Sequence, residues 1–497
     1  MTYIYQIKKI KKYLIWVFLF IILFIAYHNH EYFISKIRSN LSIEAKIKIK
    51  NFFFKNQVQN DKISQLQDSY DKLNLEFQIL KNKFDSLEFY QNKSQIMFLD
   101  QIQRKSLNIG DQLVEYSSWG LNPPYFYSHK IIEKPSTYIE KYKNYLIFVT
   151  GNGKIYYSNL DTFENSKVPQ IDQIQSNLPS IINNDLLFEI YEVKQPYSFA
   201  IAVKDILVVN DELYISFVDQ IKNNCFMTSI IKSNLNQSFN DILSFSFFYR
   251  SKDCVENIDH TALIISGGAL EYNPLEKSIL LSVGDYRRWE LAQDKKNVLG
   301  KIISIDIENK DQIIFSTCHR NPLSIYYNSK NNFIFSTEHG PLLGDEINLI
   351  TQGQCYGWPK SSYGFHYGNY GDPNPLAKYV ELAPLFKSHK DYGFNEPLFS
   401  FSYMYKPEEQ LEVKYEGGPG LKNILPNIFS KKDNDYLVFG MKSKKIYLFN
   451  HDIKNNEFIF EESILINDRV RDVVIDNQNI FYIDENYPAI VKLNLKN

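Results

Sequence analysis

Short runs of apolar and β-branched residues, separated by turn-forming residues, fill the chain from about residue 134 to residue 497. Within the runs apolar residues alternate with polar ones, and Asn-Gly, Asn-Asp, Asn-Lys or Asp-Asn pairs mark the reversals, a pattern typical of strands joined by hairpins. No segment of this part has a long helical period. Examples of such runs are YLIFVTGNGKIYYSNL, DILVVNDELYISFV, KIISIDIENKDQIIF and QNIFYIDENYPAIVKLNL.

So many short strands at this spacing favour a propeller or a large sandwich over alternating βαβ units. Divided by six, residues 135–497 supply about 60 residues per blade, which is enough for four strands and functional loops. The pattern therefore predicts an all-β fold, a six-bladed β-propeller over 135–497.

The charges of the chain are almost balanced, with 55 Lys and Arg against 57 Asp and Glu and a net charge of -2. A nucleic-acid partner would favour a basic excess, so we expect no nucleic acid. The GNGK run at 151–154 is a hairpin turn between strand-like runs rather than a phosphate loop. A hydrophobic content of 44% with 23% charged residues excludes wholesale disorder.

An apolar segment runs from Tyr13 to Tyr27 without a charged residue and follows four lysines within residues 8–12. It is short for a spanning helix, but aromatic residues suit the membrane interfaces and lysines can snorkel. We predict a signal-anchor helix within residues 1–30, with the N-terminus cytoplasmic and the propeller periplasmic or extracellular. A cleaved signal peptide, for which a small-x-small cleavage site is missing, and a buried apolar helix are the alternatives.

A helical pattern follows a linker at 31–60. Apolar residues from Ile63 to Leu87 recur at alternating spacings of three and four, with no Gly or Pro from 61 to 107. These heptads predict a coiled-coil stalk at 61–106, and hence a homo-oligomer, followed by a second linker at 107–134. The alternative is an amphipathic helix that packs on its own domain.

Four cysteines in a chain of this length cannot be a disulfide scaffold. Cys225 and Cys254 flank a β-rich stretch, and in an oxidising compartment we expect a disulfide between them. The sequence has no CxxC and no His/Cys cluster with zinc spacing, so a thiolate metal site is not expected.

In four stretches of the predicted propeller, motif-like residues are closely spaced. The stretches are GGALEYNPLEKSILLSVGD (267–285), AQDKKNVLGKIISIDI (292–307), CHRNPLSIYY (318–327) and STEHGPLLGDEINLITQGQCYGWPKSSYG (336–364). In order and spacing they resemble the glucose/sorbosone dehydrogenase family, which includes the soluble quinoprotein glucose dehydrogenases and the aldose sugar dehydrogenases. The resemblance implies a six-bladed propeller that oxidises a small sugar with pyrroloquinoline quinone and calcium. It is strong from about 260 to 365, weaker at 436–475, and does not cover the first 130 residues.

The resemblance also implies a pocket for the quinone. Arg320 and Asn321 of HRNP match positions that hold the cofactor, and Lys442 of FGMKSKKIYLF matches the family's cofactor lysine. Arg469 and Arg471 of NDRVRDVVID match a late arginine pair. Such cations suit a planar tricarboxylate, because they donate charge-assisted and often bidentate hydrogen bonds. The alternative is that the two late arginines form ordinary ion pairs at a strand end.

Calcium requires oxygen ligands, often carbonyls and carboxylates. The carbonyls of Gly340 and Pro341 resemble those that position calcium at the quinone in one branch of the family. Glu346 and the carbonyl of Tyr356 resemble a further calcium site in another branch. The alternative is that the two loops are structural turns that do not bind calcium. His339 belongs to the EHGP motif and need not be catalytic.

The chain departs from the family at the general base, a histidine two residues before the first glycine of a GGRL-like motif. That histidine accepts the proton of the sugar hydroxyl. Here Ile265 occupies its position and cannot accept a proton, and Ala269 stands where the family usually has arginine. The candidates for another base are His260, Glu338 and Asp345.

Two functions therefore remain open. One is a membrane-anchored, exported quinoprotein that oxidises a sugar or related alcohol and passes electrons to an acceptor. The other is a non-catalytic propeller that binds a glycan or protein from its stalk. Ile265 favours the second function, as does the stretch 395–425, which does not align with the family's substrate-pocket segment.

Overall fold

The computed structural model describes residues 96–99, 101–121, 136–151, 153–163, 169–182, 203–222, 225–235, 239, 241–256, 260–364, 381–382, 387–409, 418–486 and 488–496. All of them belong to one compact unit, residues 94–497. The predicted signal-anchor, the first linker and the heptads of the predicted stalk lie outside the described residues. Within the described ranges, no helix is long and apolar enough to cross a membrane.

The described strands form six antiparallel blades. Blade 1 consists of β1 (Ile96–Phe98), β4 (Thr137–Tyr142), β5 (Tyr145–Thr150), β6 (Ile155–Asn159) and β7 (Gln170–Ile174). Blade 2 consists of β8 (Val203–Val209), β9 (Glu212–Lys222), β10 (Cys225–Asn234), β11 (Ser246–Tyr249) and β12 (Val255–Glu256). Blade 3 consists of β13 (Gly267–Asn273), β14 (Ser278–Val283), β15 (Lys301–Asp306) and β16 (Gln312–Thr317).

Blade 4 consists of β17 (Pro322–Asn328), β18 (Phe333–Glu338), β19 (Glu346–Leu349) and β22 (Phe399–Ser400). Blade 5 consists of β23 (Leu421–Pro426), β24 (Asp435–Gly440), β25 (Lys445–Asp452) and β26 (Glu457–Leu465). Blade 6 consists of β27 (Val470–Asp476), β28 (Asn479–Asp484), β29 (Ala489–Leu495), β3 (Gln112–Gly120) and β2 (Gln101–Ile109). A separate parallel pair is formed by β20 (Ser361–Ser362) and β21 (Glu381–Leu382), and the short helices described are α1 (Leu178–Ile182) and α2 (His260–Leu263).

The innermost strands of the blades are β4, β8, β13, β17, β23 and β27. Each contacts the innermost strand of the next blade, and β27 contacts β4, so the ring is closed. This confirms the predicted all-β, six-bladed propeller.

The hydrophobic core lies between neighbouring blades. Leu146 of β5 packs with Phe481 of blade 6, whereas the next residue, Ile147, packs with Leu213 of blade 2. Successive side chains of a strand point to opposite faces, and here both faces are buried. For this reason the central strands are nearly continuous apolar runs, which is where the sequence pattern is strongest.

The N-terminal part of the described chain closes the ring, which corrects the predicted domain boundaries. Strand β3 pairs with β29, where Tyr116 lies opposite Leu493, and β1 pairs with β7 of blade 1. Strand β1 and residues 101–106 of β2, assigned to the stalk, and residues 107–109 of β2 with β3, assigned to the linker, therefore belong to the propeller. The outermost strand, β2, is largely exposed and lacks a regular apolar face, so its strand character depends on pairing with β3.

Candidate functional site

The predicted cofactor residues lie at one end of the ring. Arg320 and Asn321 immediately precede the inner strand β17, and Arg469 and Arg471 lie at the start of the inner strand β27. Lys442 lies in the turn between the second and third strands of blade 5. In an antiparallel blade the start of the first strand and the turn after the second strand are at the same end. The fold therefore brings together residues from blades 4, 5 and 6.

A ring of side chains surrounds the axis at this end. The second residues of the six inner strands, which we call the axial ring, are Tyr138, Lys204, Gly268, Leu323, Lys422 and Arg471. The strand pairing shifts register at this position in five of the six blades. A bulge leaves a residue out of the ladder and re-aims its side chain. The axial ring thus presents two lysines and an arginine that no motif had indicated as a group.

Members of the axial ring contact one another around the axis. Lys422 is buried, its Nζ donates to the carbonyl of Leu323 at 2.8 Å, and the same Nζ lies 5.7 Å from the ring centroid of Tyr138. These contacts connect blades 4, 5 and 1, so Lys422 lies where the blades meet.

The late arginine pair is held by Glu485. Arg471 donates to both carboxylate oxygens, from Nε at 2.9 Å and from Nη2 at 2.7 Å, and Arg469 donates from Nε at 2.8 Å. Burial by itself raises the pKa of Glu485, but the two guanidinium groups lower it below its ordinary value. The two late arginines therefore do form ion pairs, as the alternative interpretation expected. One carboxylate thus serves both arginines, and Asp472 also acts on Arg471.

Arg320 and Asn321 connect three segments of the site. Arg320 Nη1 donates to the carbonyls of His339 at 2.9 Å and Gly340 at 2.8 Å. The Asn321 side-chain oxygen accepts a bond from the backbone of Gly267 at 3.1 Å. Burial raises the pKa of the Asp285 carboxyl group to about 6 overall, although Arg320 lies close enough to lower it. Lys442 is exposed, and its side chain has no hydrogen-bond or ion-pair partner among the described residues.

The predicted calcium ligands are all buried or nearly so. The Gly340 carbonyl accepts from Arg320, and the Pro341 carbonyl accepts from the backbone of Gly344 at 2.9 Å. Burial raises the pKa of Glu346 well above its ordinary value, and Glu338 and Glu396 nearby raise it further. No group of three or more His, Cys, Asp or Glu side chains within the described ranges is arranged to hold a metal.

A second disulfide, which the sequence analysis did not predict, supports the pocket. In addition to the expected Cys225–Cys254 bond, the structure has Cys318 bonded to Cys355. This bond attaches the loop that contains Trp358 to the turn that contains Arg320, whose guanidinium carbon lies 5.7 Å from a ring centroid of Trp358.

Comparison with known proteins decides the family. The family model described as "Glucose / Sorbosone dehydrogenase" matches residues 199–490, more than half of the chain. The chain belongs to the glucose/sorbosone dehydrogenase family. The resemblance seen in the four motif stretches is thereby confirmed.

Individual members of the family are distant relatives. Aldose sugar dehydrogenase YliI of Escherichia coli is 22% identical over 292 residues, which cover 54% of this chain and 69% of that protein. Quinoprotein glucose dehydrogenase B of Acinetobacter calcoaceticus is 32% identical over 138 residues, 21% of this chain and 28% of that protein.

Solved structures agree with the fold. A crystal structure of a glucose dehydrogenase has a TM-score of 0.53 and 18% identity, covering 74% of this chain and 97% of its own. The apo-form of the soluble aldose sugar dehydrogenase of Escherichia coli has a TM-score of 0.52 and 16% identity, covering 74% of this chain and 99% of its own.

In this member of the glucose/sorbosone dehydrogenase family, Ile265 lies in the turn between α2 and β13. Its backbone carbonyl accepts from Tyr286 at 3.0 Å, and its side chain offers no proton acceptor. Two of the candidate replacement bases are engaged elsewhere. Glu338 is buried against His319 Nδ1 at 2.9 Å, and the Asp345 carboxylate accepts from the backbone of Gly420 at 2.7 Å. His260 begins α2.

Sequence reasoning missed Glu485, Lys204 and Lys422. Lys204 and Lys422 are the second residues of β8 and β23, Glu485 directly follows β28, and no motif marks any of them. For the two lysines, a charged residue at the start of a buried strand was the available signal. It does not reveal which blades meet there.

Proposed function

We propose that this member of the family is a quinoprotein sugar dehydrogenase. It binds pyrroloquinoline quinone at the end of the propeller where the predicted cofactor residues lie. The observation that carries the proposal is the charge of the pocket. Four cationic side chains lie at this end of the propeller, and one carboxylate, Glu485, is bonded to two of them, an arrangement that suits an anionic tricarboxylate. The four cations are Arg320, Lys442, Arg469 and Arg471. When bound, the quinone supplies the two-electron acceptor for oxidation of a sugar or related alcohol.

Calcium is part of the same proposal. The carbonyls of Gly340 and Pro341 are oxygen donors beside Arg320, and a carbonyl oxygen has a second lone pair for a cation. Glu346 and the carbonyl of Tyr356 are proposed as a further site. A divalent cation near Glu346 would offset the cost of burying its carboxylate.

The location of the propeller is also a proposal. Two disulfides among the described residues suit an oxidising compartment, because cytosolic thiols are kept reduced. We propose that the segment 13–27 anchors the chain to a membrane, that the propeller lies outside the cytoplasm, and that the heptads at 63–87 form a homo-oligomeric coiled coil.

A titration of the full-length protein with pyrroloquinoline quinone, with and without calcium, tests the proposed function. We expect saturable, calcium-dependent changes in absorbance and a rise in melting temperature. Arg469→Met and Lys442→Met should weaken binding, whereas Lys432→Met, which removes an exposed lysine paired with Glu461, should not. No binding at concentrations well above the micromolar range would exclude the quinoprotein function.

The alternative is a non-catalytic propeller that binds a glycan or a protein. It is favoured by Ile265 and by the engagement of Glu338 and Asp345 in the fold. The Ile265→His variant separates the two functions. If the quinone binds but aldoses reduce it only in the variant, the natural protein is not a dehydrogenase.

A further inference from the structure

A buried lysine lies along the segment in which the family's histidine is missing. Lys204, the axial-ring residue of blade 2, is about 8% exposed. Its Cβ lies so near Gly268 that a Cβ at position 268 would collide with it, and Gly268 has a φ of +107°. At its other end, Lys204 Nζ donates to the carbonyl of Leu263 at 3.4 Å. The side chain therefore reaches from Gly268 to Leu263, the residues on either side of Ile265.

Lys204 and the proposed cofactor residue Arg471 occupy equivalent positions. Both are the second residue of an inner strand, and in both blades the pairing shifts register there. A bulge leaves the residue out of the ladder and changes the direction of its side chain. Arg471 is one of the charges that lower the pKa of Lys204, so the two side chains lie close together.

The surroundings favour the neutral amine. Burial is the main cause that lowers the pKa of Lys204 to about 7, and Arg471 and Lys422 lower it further. Residues 263–268 contain no titratable side chain. The carboxylate of the adjacent Asp205 accepts a hydrogen bond from the backbone N–H of Leu270 at 2.8 Å. A general base is most effective when its pKa is close to the working pH.

We propose that Lys204 accepts the substrate proton in place of the missing histidine. This inference rests on the proposed function. The O–H bond of the sugar hydroxyl breaks, and its proton moves to the Lys204 amine, which becomes an ammonium group. The bound quinone would be the two-electron oxidant, which would take up the hydride from the C–H bond at the same carbon. The sugar carbon would thereby be oxidised to a carbonyl.

The first test compares variants of the quinone-loaded, full-length protein, with D-glucose, D-xylose and L-arabinose as probes. Lys204→Ala and Lys204→Arg should lower kcat by about 10²–10⁴-fold and change KM much less. Methylamine should partly restore Lys204→Ala but not Lys204→Arg. The double variant Lys204→Ala, Ile265→His should recover turnover with the pH profile of a histidine.

A matched control is available in blade 6. Lys492 is also about 8% exposed, and its Nζ donates to a backbone carbonyl, that of Phe163, at the same 3.4 Å. It lies in β29, the third strand from the axis. Lys492→Ala should have the stability cost of removing a buried lysine with no loss of kcat.

The second test does not use activity. In the quinone-free protein, lysines are dimethylated with carbon-13, and the Lys204→Arg spectrum identifies the Lys204 resonance. We expect this resonance to titrate near neutral pH. Titration near pH 10, the ordinary range of a lysine, would contradict the proposal.

The outcomes are distinguishable. Absence of quinone binding, or bound quinone that no probe reduces even in Ile265→His, would overturn the proposed function and this inference with it. Reduction in Ile265→His alone, with none in the natural protein, would overturn only the role of Lys204. Turnover that Lys204→Ala leaves unchanged, or changes only in KM, would also overturn that role.

Discussion

Glu485 makes the burial of Arg471 possible and also binds the partly exposed Arg469. A buried guanidinium without a counter-charge is costly, and here a single carboxylate bonds to both Arg469 and Arg471. The hydroxyl of Ser136, which precedes β4 of blade 1, donates to the same carboxylate at 3.0 Å. This hydrogen bond links blade 6 to blade 1. The proposed cofactor pocket and the closure of the ring thus share one residue.

Glu485→Gln should destabilise the protein by about 3–5 kcal/mol at neutral pH, because it leaves two arginines without their buried partner. The pKa of Glu485 is lowered in the folded protein, so its contribution is present at neutral pH and is lost as the pH falls below the ordinary range of a glutamate, about 4.3. Denaturant unfolding measures both effects. Glu461→Gln, which breaks an exposed pair with Lys432, should cost less than about 1 kcal/mol. Equal stabilities of the two variants would contradict this account.

The strand β25 contains a histidine with an entirely aromatic environment. His451 is buried among Phe333, Phe335, Tyr436 and Phe458, and neither ring nitrogen has a hydrogen-bond partner among the described residues. Burial lowers the pKa of His451. The folded protein therefore favours the neutral ring, and protonation favours the unfolded chain.

His451→Phe should remove part of the acid sensitivity of the propeller. A histidine whose pKa is lowered by folding contributes stability above its ordinary value of about 6.5 that is lost as the pH falls. The melting temperature of the natural protein should thus fall more between about pH 7.5 and about pH 5 than that of the variant. His339 and the buried His389 are present in both proteins, so their effects cancel. Parallel pH profiles would show that His451 is not the cause.

The two disulfides constrain different elements, and this difference is testable. Closing a loop of this size contributes about 3–4 kcal/mol in the chain-entropy description, and the two sequence separations, 29 and 37, are similar. Removing either bond by a double Cys→Ser substitution should cost similar stability. Removing Cys318–Cys355 should also weaken quinone binding, because Cys318 lies two residues from Arg320. Equal quinone affinity in both variants, measured by absorbance titration, would refute the link to the pocket.

On the scale of the whole molecule, residues 96–120 join the first blade to the last. Val114, Tyr116 and Trp119 of β3 are buried, and the Tyr116 hydroxyl donates to Asp468, next to Arg469, at 2.9 Å. Full burial of one such side chain contributes about 1.5–3 kcal/mol, so the three together are comparable with the net stability of an ordinary domain.

A fragment of residues 135–497 should therefore fail to fold cooperatively, although it contains every predicted site residue. The loss of β3 exposes the edge of β29, and the loss of β1 exposes the edge of β7. Exposed strand edges promote edge-to-edge association between molecules. Gel filtration and calorimetry should show aggregation of this fragment, whereas residues 94–497 should give a monodisperse propeller with one transition. A monodisperse, cooperative 135–497 would contradict the proposed closure.

The sequence by itself determined the class of fold and its repeat, because alternating apolar runs with hairpin turns report local strand formation and burial of both faces. It also predicted, through their motifs, that Arg320, Asn321 and the late arginine pair hold the cofactor, and this stays a prediction. The tertiary structure decided where the propeller begins, since β2 and β3 become strands of blade 6 only by pairing with β29. It likewise decided which charges meet. The β27–β28 hairpin places Glu485 beside the late arginine pair. Lys204 and Lys422 are far from Arg471 in sequence, and only the closed ring of inner strands brings them close to it.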